Sequence, residues 1–261
     1  MKRALHLSGC VALALSTALI AATSAQAQSD DAGKILKMMS DYVASQKNIS
    51  ATLNTDIEVL TSDLQKIQFD ATGQLWLSRP DKLRVSRTGG YTDVEFVFDG
   101  KTATILGKNI NAFAQLDSPG STDQLIDRLI NEFSVQAPAS DLLLSNSYDV
   151  LMSDVRDAKH IGRGVVDGVE CEHLAFRNFD TDWQIWIEVG PRPIPHKYVI
   201  TSKTETGAPQ YTLRISDWKT DAPATAEAFT FKPPAGAKKI ALKELRDLDE
   251  VPAGVVAGGK K

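Results

Sequence analysis

Between residues 49 and 116, apolar and polar side chains alternate in short runs, and each run stops at residues that turn a chain. Ile49, Ala51, Leu53, Thr55, Ile57 and Val59 alternate with Ser50, Thr52, Asn54, Asp56 and Glu58. A period of two puts the sets on opposite faces of a strand, one suited to a core and one to water. The pattern recurs in Ile67 to Ala71, Gly73 to Leu77, Leu83 to Arg87, Val94 to Phe98, Thr102 to Leu106 and Ile110 to Leu116. The breaks fall at Arg79-Pro80-Asp81, Gly89-Gly90, Asp99-Gly100 and Gly107-Lys108-Asn109. Asp-Gly between alternating runs is a strong hairpin signal. Pro80 has no amide hydrogen and drives Arg79 into extended geometry, so pairing stops there with a cation at the rim of a sheet. The spacing predicts about six consecutive antiparallel strands.

Two helical patterns interrupt this β periodicity. Over Asp31 to Gln46, Ile35, Met38, Met39, Tyr42 and Val43 follow helical spacing, with Asp30 or Asp31 as N-cap. After Pro119-Gly120, Ser121-Thr122-Asp123-Gln124 has capping-box spacing and Leu125, Ile126, Leu129, Ile130 and Phe133 give a second stripe. Ser140 to Leu144 and Tyr148 to Met152 read as shorter helical pieces. Strands resume at Ala158 to Val166, Val169 to Asn178, Trp183 to Val189, His196 to Lys203 and Gln210 to Trp218, and Phe229-Thr230-Phe231 reads as a short closing strand. The expected class is α+β, mainly antiparallel β: a strongly curved, half-open β-barrel with an N-terminal helix and a mid-chain helical lid. Helices on the concave face of such a sheet enclose an apolar space.

The first 27 residues read as an export signal: Lys2 and Arg3, an apolar run from Val11 to Ala22, and Ala25-Gln26-Ala27 for cleavage. Leu7-Ser8-Gly9-Cys10 looks locally like a lipidation box, but the apolar run follows Cys10 rather than preceding it, so an unlipidated N-terminus is expected. The expected boundaries are 1–27 for the signal, 28–252 for one domain and 253–261 for a disordered tail. Of 261 residues, 234 then remain, with 27 basic residues (29 less Lys2 and Arg3) against 33 acidic ones. That balance, with no basic block, argues against nucleic acid. No later run reaches the roughly 18 apolar residues of a membrane span, so the chain is not expected to be integral to a membrane. Cys171 alone follows the signal, which leaves no intramolecular disulfide and favours a small buried hydrophobe.

Catalytic motifs are lacking: there is no G-x-S-x-G elbow, H-E-x-x-H pair or phosphate-binding loop. Cys171 and His173 share a strand face, His160 lies on the strand paired to it, and His196 is a fourth candidate, a set that could suit zinc or copper. A buried thiol among hydrogen-bonded histidines explains the same residues, so no metal or cofactor is expected. Trp76, Trp183, Trp186 and Trp218 fit core or rim packing as well as ligand contact.

Three stretches resemble the LolA-like family of periplasmic lipoprotein carriers. Gly73-Gln74-Leu75-Trp76-Leu77-Ser78-Arg79-Pro80 resembles its G-x-L-W-x-x-R-P strand and corner, Asp99-Gly100-Lys101-Thr102 its D-G-K-T turn, and Phe229-Thr230-Phe231-Lys232-Pro233-Pro234-Ala235-Gly236 its F-T-F-x-P-P-x-G close. Cys171 to Arg177 and Trp183 to Trp186 match no part of that pattern, marking a divergent branch. The resemblance implies a half-barrel with a lid over a hydrophobic cavity that takes acyl chains, and it makes Arg79 the lid-contacting arginine that gates the cavity. Two functions are expected from it. One is a periplasmic non-enzymatic carrier or sensor of an acyl chain, lipoprotein or other hydrophobic ligand, lined by Met38, Met39, Tyr42, Leu75, Leu77, Phe96, Phe98, Leu129 and Phe133. The alternative is a ligand-free envelope interaction module, with a protein partner and its cavity filled by side chains. A monomer is expected in either case.

Overall fold

The computed structural model describes residues 31–133, 138–220, 225–244, 248, 251–252 and 254–255. The expected signal 1–27 lies outside them, as does the expected tail 253–261 apart from residues 254 and 255.

Helix α1 (residues 31–45) precedes six strands: β1 (Asn48–Leu60), β2 (Lys66–Ser78), β3 (Lys82–Gly89), β4 (Asp93–Phe98), β5 (Thr102–Gly107) and β6 (Ala112–Asp117). Then follow α2 (Thr122–Phe133), a 3-10 turn (Ser140–Leu143) and α3 (Ser147–Met152). A second meander comprises β7 (Asp157–Val166), β8 (Val169–Arg177), β9 (Thr181–Glu188), β10 (Pro195–Ser202) and β11 (Gln210–Lys219). All the strands form one curved, open, twelve-stranded sheet in the order β12-β6-β5-β4-β3-β2-β1-β11-β10-β9-β8-β7, where β12 is Lys238–Lys239. The two meanders join at its centre, where β1 pairs with β11.

Phe98 of β4 and Ala103 of β5 share one buried cluster with Ala158 of β7 and Leu174 of β8. Strands so far apart in the sheet order meet a common core only because the sheet curls around the helices. Gly73 permits the tight β2–β3 approach at its centre: a Cβ there would lie 2.1 Å from the Ser86 carbonyl oxygen.

Two expectations require correction. The buried stripe of α1 is Ala32, Leu36, Met39 and Val43, whereas Met38 faces solvent at 58% exposure. Met38 sits about 100° from Met39 around the helix axis, outside the apolar arc centred near Met39. The Phe229–Phe231 segment is not a strand: Ala226–Phe229 forms a 3-10 turn. Phe229 is buried and the Phe231 ring meets that of Phe113 at 5.0 Å, so these aromatics anchor the chain, and Pro233-Pro234 cannot donate to a ladder. The closing strand is instead β12, paired parallel to the edge strand β6. Beyond it, Ile240, Leu242 and Leu248 cover Ala112, Ala114 and Ile105, so the C-terminal segment wraps the β6 edge.

Candidate functional site

The corner at Arg79 joins three parts of the molecule. The Arg79 amide donates to the Lys47 carbonyl behind α1 at 2.8 Å, and the amide of Thr122, at the start of α2, donates to the Pro80 carbonyl at 2.8 Å. The expected capping box is present: the Ser121 amide donates to Gln124 Oε1 at 2.9 Å and the Gln124 amide to Ser121 Oγ at 3.2 Å. It fixes the helix start against which the guanidinium lies. Arg79 Nη2 donates to the Leu143 carbonyl at 2.7 Å, and Nη1 stands 3.9 Å from Asp123 Oδ1. The Asp123 carboxylate also accepts from the Ser145 hydroxyl. Burial lowers the pKa of Arg79 and the Asp123 charge opposes that shift. Its Nε–H is buried without a partner among the described residues. A side chain that is only 14% exposed and incompletely satisfied is not an ordinary rim arginine.

Strand registers arrange the concave face in rows. The row Ile49, Leu77, Leu83, Phe98, Ala103 is closed off beneath the helices. The next row begins buried at Ala51 and Leu75 and becomes half-buried at Val85 and Phe96. Further along the strands, Ile200, Tyr211, Ile57 and Phe69 stand in direct cross-strand register, all half-buried. Leu53 is half-buried between the two zones. The concave face is thus packed at the helix end and carries half-buried apolar side chains at the other.

Of the expected lining residues, Met39, Leu75, Leu77 and Phe98 meet in the packed cluster. Tyr42, Phe96 and Leu129 are half-buried against it, while Phe133 lies toward the outside under the Arg128 guanidinium, 5.7 Å from its ring centre. Leu125 and Ile126 are buried but Ile130 is exposed, so α2 lifts away from the core along its length. Sequence reading missed Leu53, Val85, Ile200 and Tyr211, although each has the inward parity of its own strand. It also passed over Asp141, half-buried in the 3-10 turn, whose carboxyl burial pushes up to about 6.

Two concavities lie elsewhere. A polar cleft of about 400 Å³ on the convex face is lined by Asn54, Asp56, Asp70, Thr72 and Thr88. Within it, burial and then a hydrogen bond to Asp70 raise the pKa of Asp56. The other, about 130 Å³, lies between Val97, Thr104 and Gln115 and the Phe229–Phe231 segment. Neither includes any of the expected lining residues.

The thiol and the imidazoles each have their own partners. Cys171 is fully buried, and burial first and Glu188 second push its pKa up to about 11. His160 bonds to Glu172 at 2.7 Å, His173 to Gln184 at 2.9 Å and His196 to Glu188 at 3.0 Å. The His173 ring stacks on Trp186 at 4.1 Å, and the Lys197 ammonium lies 4.8 Å from the same indole. Trp183 stacks on Phe176 at 3.9 Å. These interactions account for the Cys171–Trp186 region as packing.

A sequence profile of a family described as "Predicted periplasmic protein (DUF2092)" matches residues 32–243. No curated protein matches the chain. Among solved structures it is similar to an uncharacterised conserved protein of Thermus thermophilus (12% identity, TM-score 0.47, covering 81% of this chain and 99% of that one). It is also similar to LprF of Mycobacterium bovis (13%, 0.45, 76% and 97%) and to a LolA superfamily protein of Nitrosomonas europaea (13%, 0.35, 77% and 97%). No helix among the described residues is long and apolar enough to cross a membrane.

Proposed function

The chain belongs to the DUF2092 family of predicted periplasmic proteins, and from that premise we propose that it is a non-enzymatic binder of hydrophobic ligands, exported to the periplasm by residues 1–27. The observation that carries this reading is the set of half-buried apolar side chains on the concave face, among them Leu53, Ile57, Val85, Phe96, Ile200 and Tyr211. Burying such side chains against an acyl chain releases about 25 cal/mol per Å² of apolar surface, which gives an elongated apolar ligand affinity without a deep enclosed pocket. In this reading Arg79 holds the 140–152 segment closed over the packed end of the face, and loss of its bond to Leu143 extends that apolar surface toward Met39, Leu77 and Phe98.

The test is mass spectrometry of organic extracts from protein purified without detergent, joined to titration with a fluorescent fatty acid. Co-purifying lipid and saturable uptake, weakened by Phe96→Asp and Ile200→Asp, are expected. A second reading, a ligand-free interaction module of the envelope, is favoured by the complete burial of Met39, Leu77 and Phe98. It is the reading left if no lipid co-purifies and no probe saturates.

A further inference from the structure

The strand registers assign every inward position of the first meander. They are the odd-numbered residues of β1, β2, β3 and β5 and the even-numbered residues of β4 and β6. Apart from the Thr55 hydroxyl, the side chains at these positions are apolar or absent, with one exception, Arg87. Strands β9, β10 and β11 place no charged residue at the inward positions in register with them. The other inward charges lie on β7 and β8 and pair among themselves. There His160 bonds to Glu172 at 2.7 Å, and Arg163 donates to Glu172 at 3.1 Å and to Glu170 at 3.2 Å. Arg87 is thus the one cation among the half-buried apolar side chains on which the binding reading rests.

Leu53, Gly73, Arg87, Val94 and Gly107 stand in one cross-strand row, with Val85 and Gly89 on either side of Arg87 along β3. Arg87 is half-buried there, and Nη2 donates to the Leu248 carbonyl. Leu248 itself lies over the same row, since a Cβ at Gly107 would stand 3.1 Å from Leu248 Cδ2. A carbonyl offers the guanidinium a neutral acceptor. A carboxylate or phosphate offers charge and two oxygens that match its planar fork, and partial burial strengthens that attraction. Building on the binding reading above, we propose that Arg87 receives the anionic head, carboxylate or phosphate, of an amphiphile whose hydrocarbon chain lies against Leu53, Val85 and Phe96. The head takes the place of the Leu248 carbonyl on the guanidinium. An apolar lining with one placed polar group fixes which way such a ligand lies, and here it sets the head at β3.

The experiment compares dodecanoate, dodecyl phosphate and dodecanol, which share a chain and differ in the head, as displacers of a neutral fluorescent probe, N-phenyl-1-naphthylamine, at neutral pH. The wild type should prefer at least one anion over dodecanol by roughly 10- to 100-fold, and which anion it prefers identifies the head. Arg87→Gln should lose that preference while binding dodecanol as the wild type does. Arg87→Lys, which keeps the charge without the fork, should fall between them. A wild type that binds all three alike overturns the proposal. So does an Arg87→Gln that weakens dodecanol as much as the anions, because a side chain that only tethers the Leu248 segment would act on every ligand equally. If Arg87→Gln fails to fold, Arg87→Lys decides: an undiminished preference for the anion overturns the proposal. Dodecanol binding with no preference for an anion sinks this inference and leaves the binding reading standing. Failure of all three to displace the probe sinks both.

Discussion

Arg79 Nη2 donates to the carbonyl of Leu143 at 2.7 Å, joining residues 64 positions apart and making one side chain the tie between the β2–β3 corner and the mid-chain helical segment. The guanidinium lies under protein with its nearest carboxylate, Asp123, 3.9 Å away, so the tie is a charged donor on a neutral carbonyl rather than a close ion pair.

Leu at position 79 cannot make that bond, whereas Lys keeps a charge but presents no planar fork. Arg79→Leu is expected to shift fluorescent fatty-acid affinity by about 5- to 150-fold, with Arg79→Lys intermediate. Arg87 is no neutral reference for this series, because it donates to the Leu248 carbonyl on the concave face. Exposed Lys101 serves instead, and Lys101→Leu should bind as wild type. Equal affinity for all four proteins would remove Arg79 from any gating role.

The packed end of the concave face should be costly to hollow out. Phe98 is fully buried, and Phe98→Ala is expected to lower unfolding free energy by about 3–5 kcal/mol in urea titrations. Met38, one position from the buried Met39, should be nearly silent on truncation to Ala, within about 0.5 kcal/mol. Comparable losses for the two would mean that α1 is rotated from the orientation described.

Cys171 should be inert while the protein is folded. With its pKa near 11 against an ordinary 9.0, the thiolate fraction at pH 8 is about 100-fold below that of a free thiol, and burial removes access as well. Iodoacetamide should label Cys171 only at the rate of global unfolding, and added urea should restore stoichiometric labelling. Rapid labelling of the native protein would show that the convex face opens around β8.

Export is tested at the N-terminus. Cleavage after Ala27 predicts a mature chain beginning at Gln28, readable by N-terminal sequencing of periplasmic protein. A diacylated Cys10 in the membrane fraction would instead place the chain on a lipid anchor.

Much of the fold was readable from residue pattern because its strands are long, amphipathic and bounded by strong turn residues. The β4–β5 hairpin at Asp99-Gly100 and the capping box at Ser121-Gln124 are local chemistry, and both occur where local chemistry puts them. What escaped depends on partners distant in sequence. Phe229 and Phe231 have the alternation of a strand, but their burial comes from docking on β4–β6, which no period reveals. Met38 and Leu36 are both apolar, and only the docking angle of α1 decides which turns inward.

The seam between β1 and β11 has a consequence for how the molecule comes into being. Thr52 of β1 bonds to Asp217 of β11 across 165 residues, so the middle of the sheet is built from the two ends of the described domain. A chain emerging N-terminus first can assemble β1 to β6 by neighbouring hairpins, yet β1 keeps an open edge until nearly the whole polypeptide is present. Completion of the sheet is therefore timed to the end of chain delivery. Until then the edge of β1 lies open to mispairing with other strands.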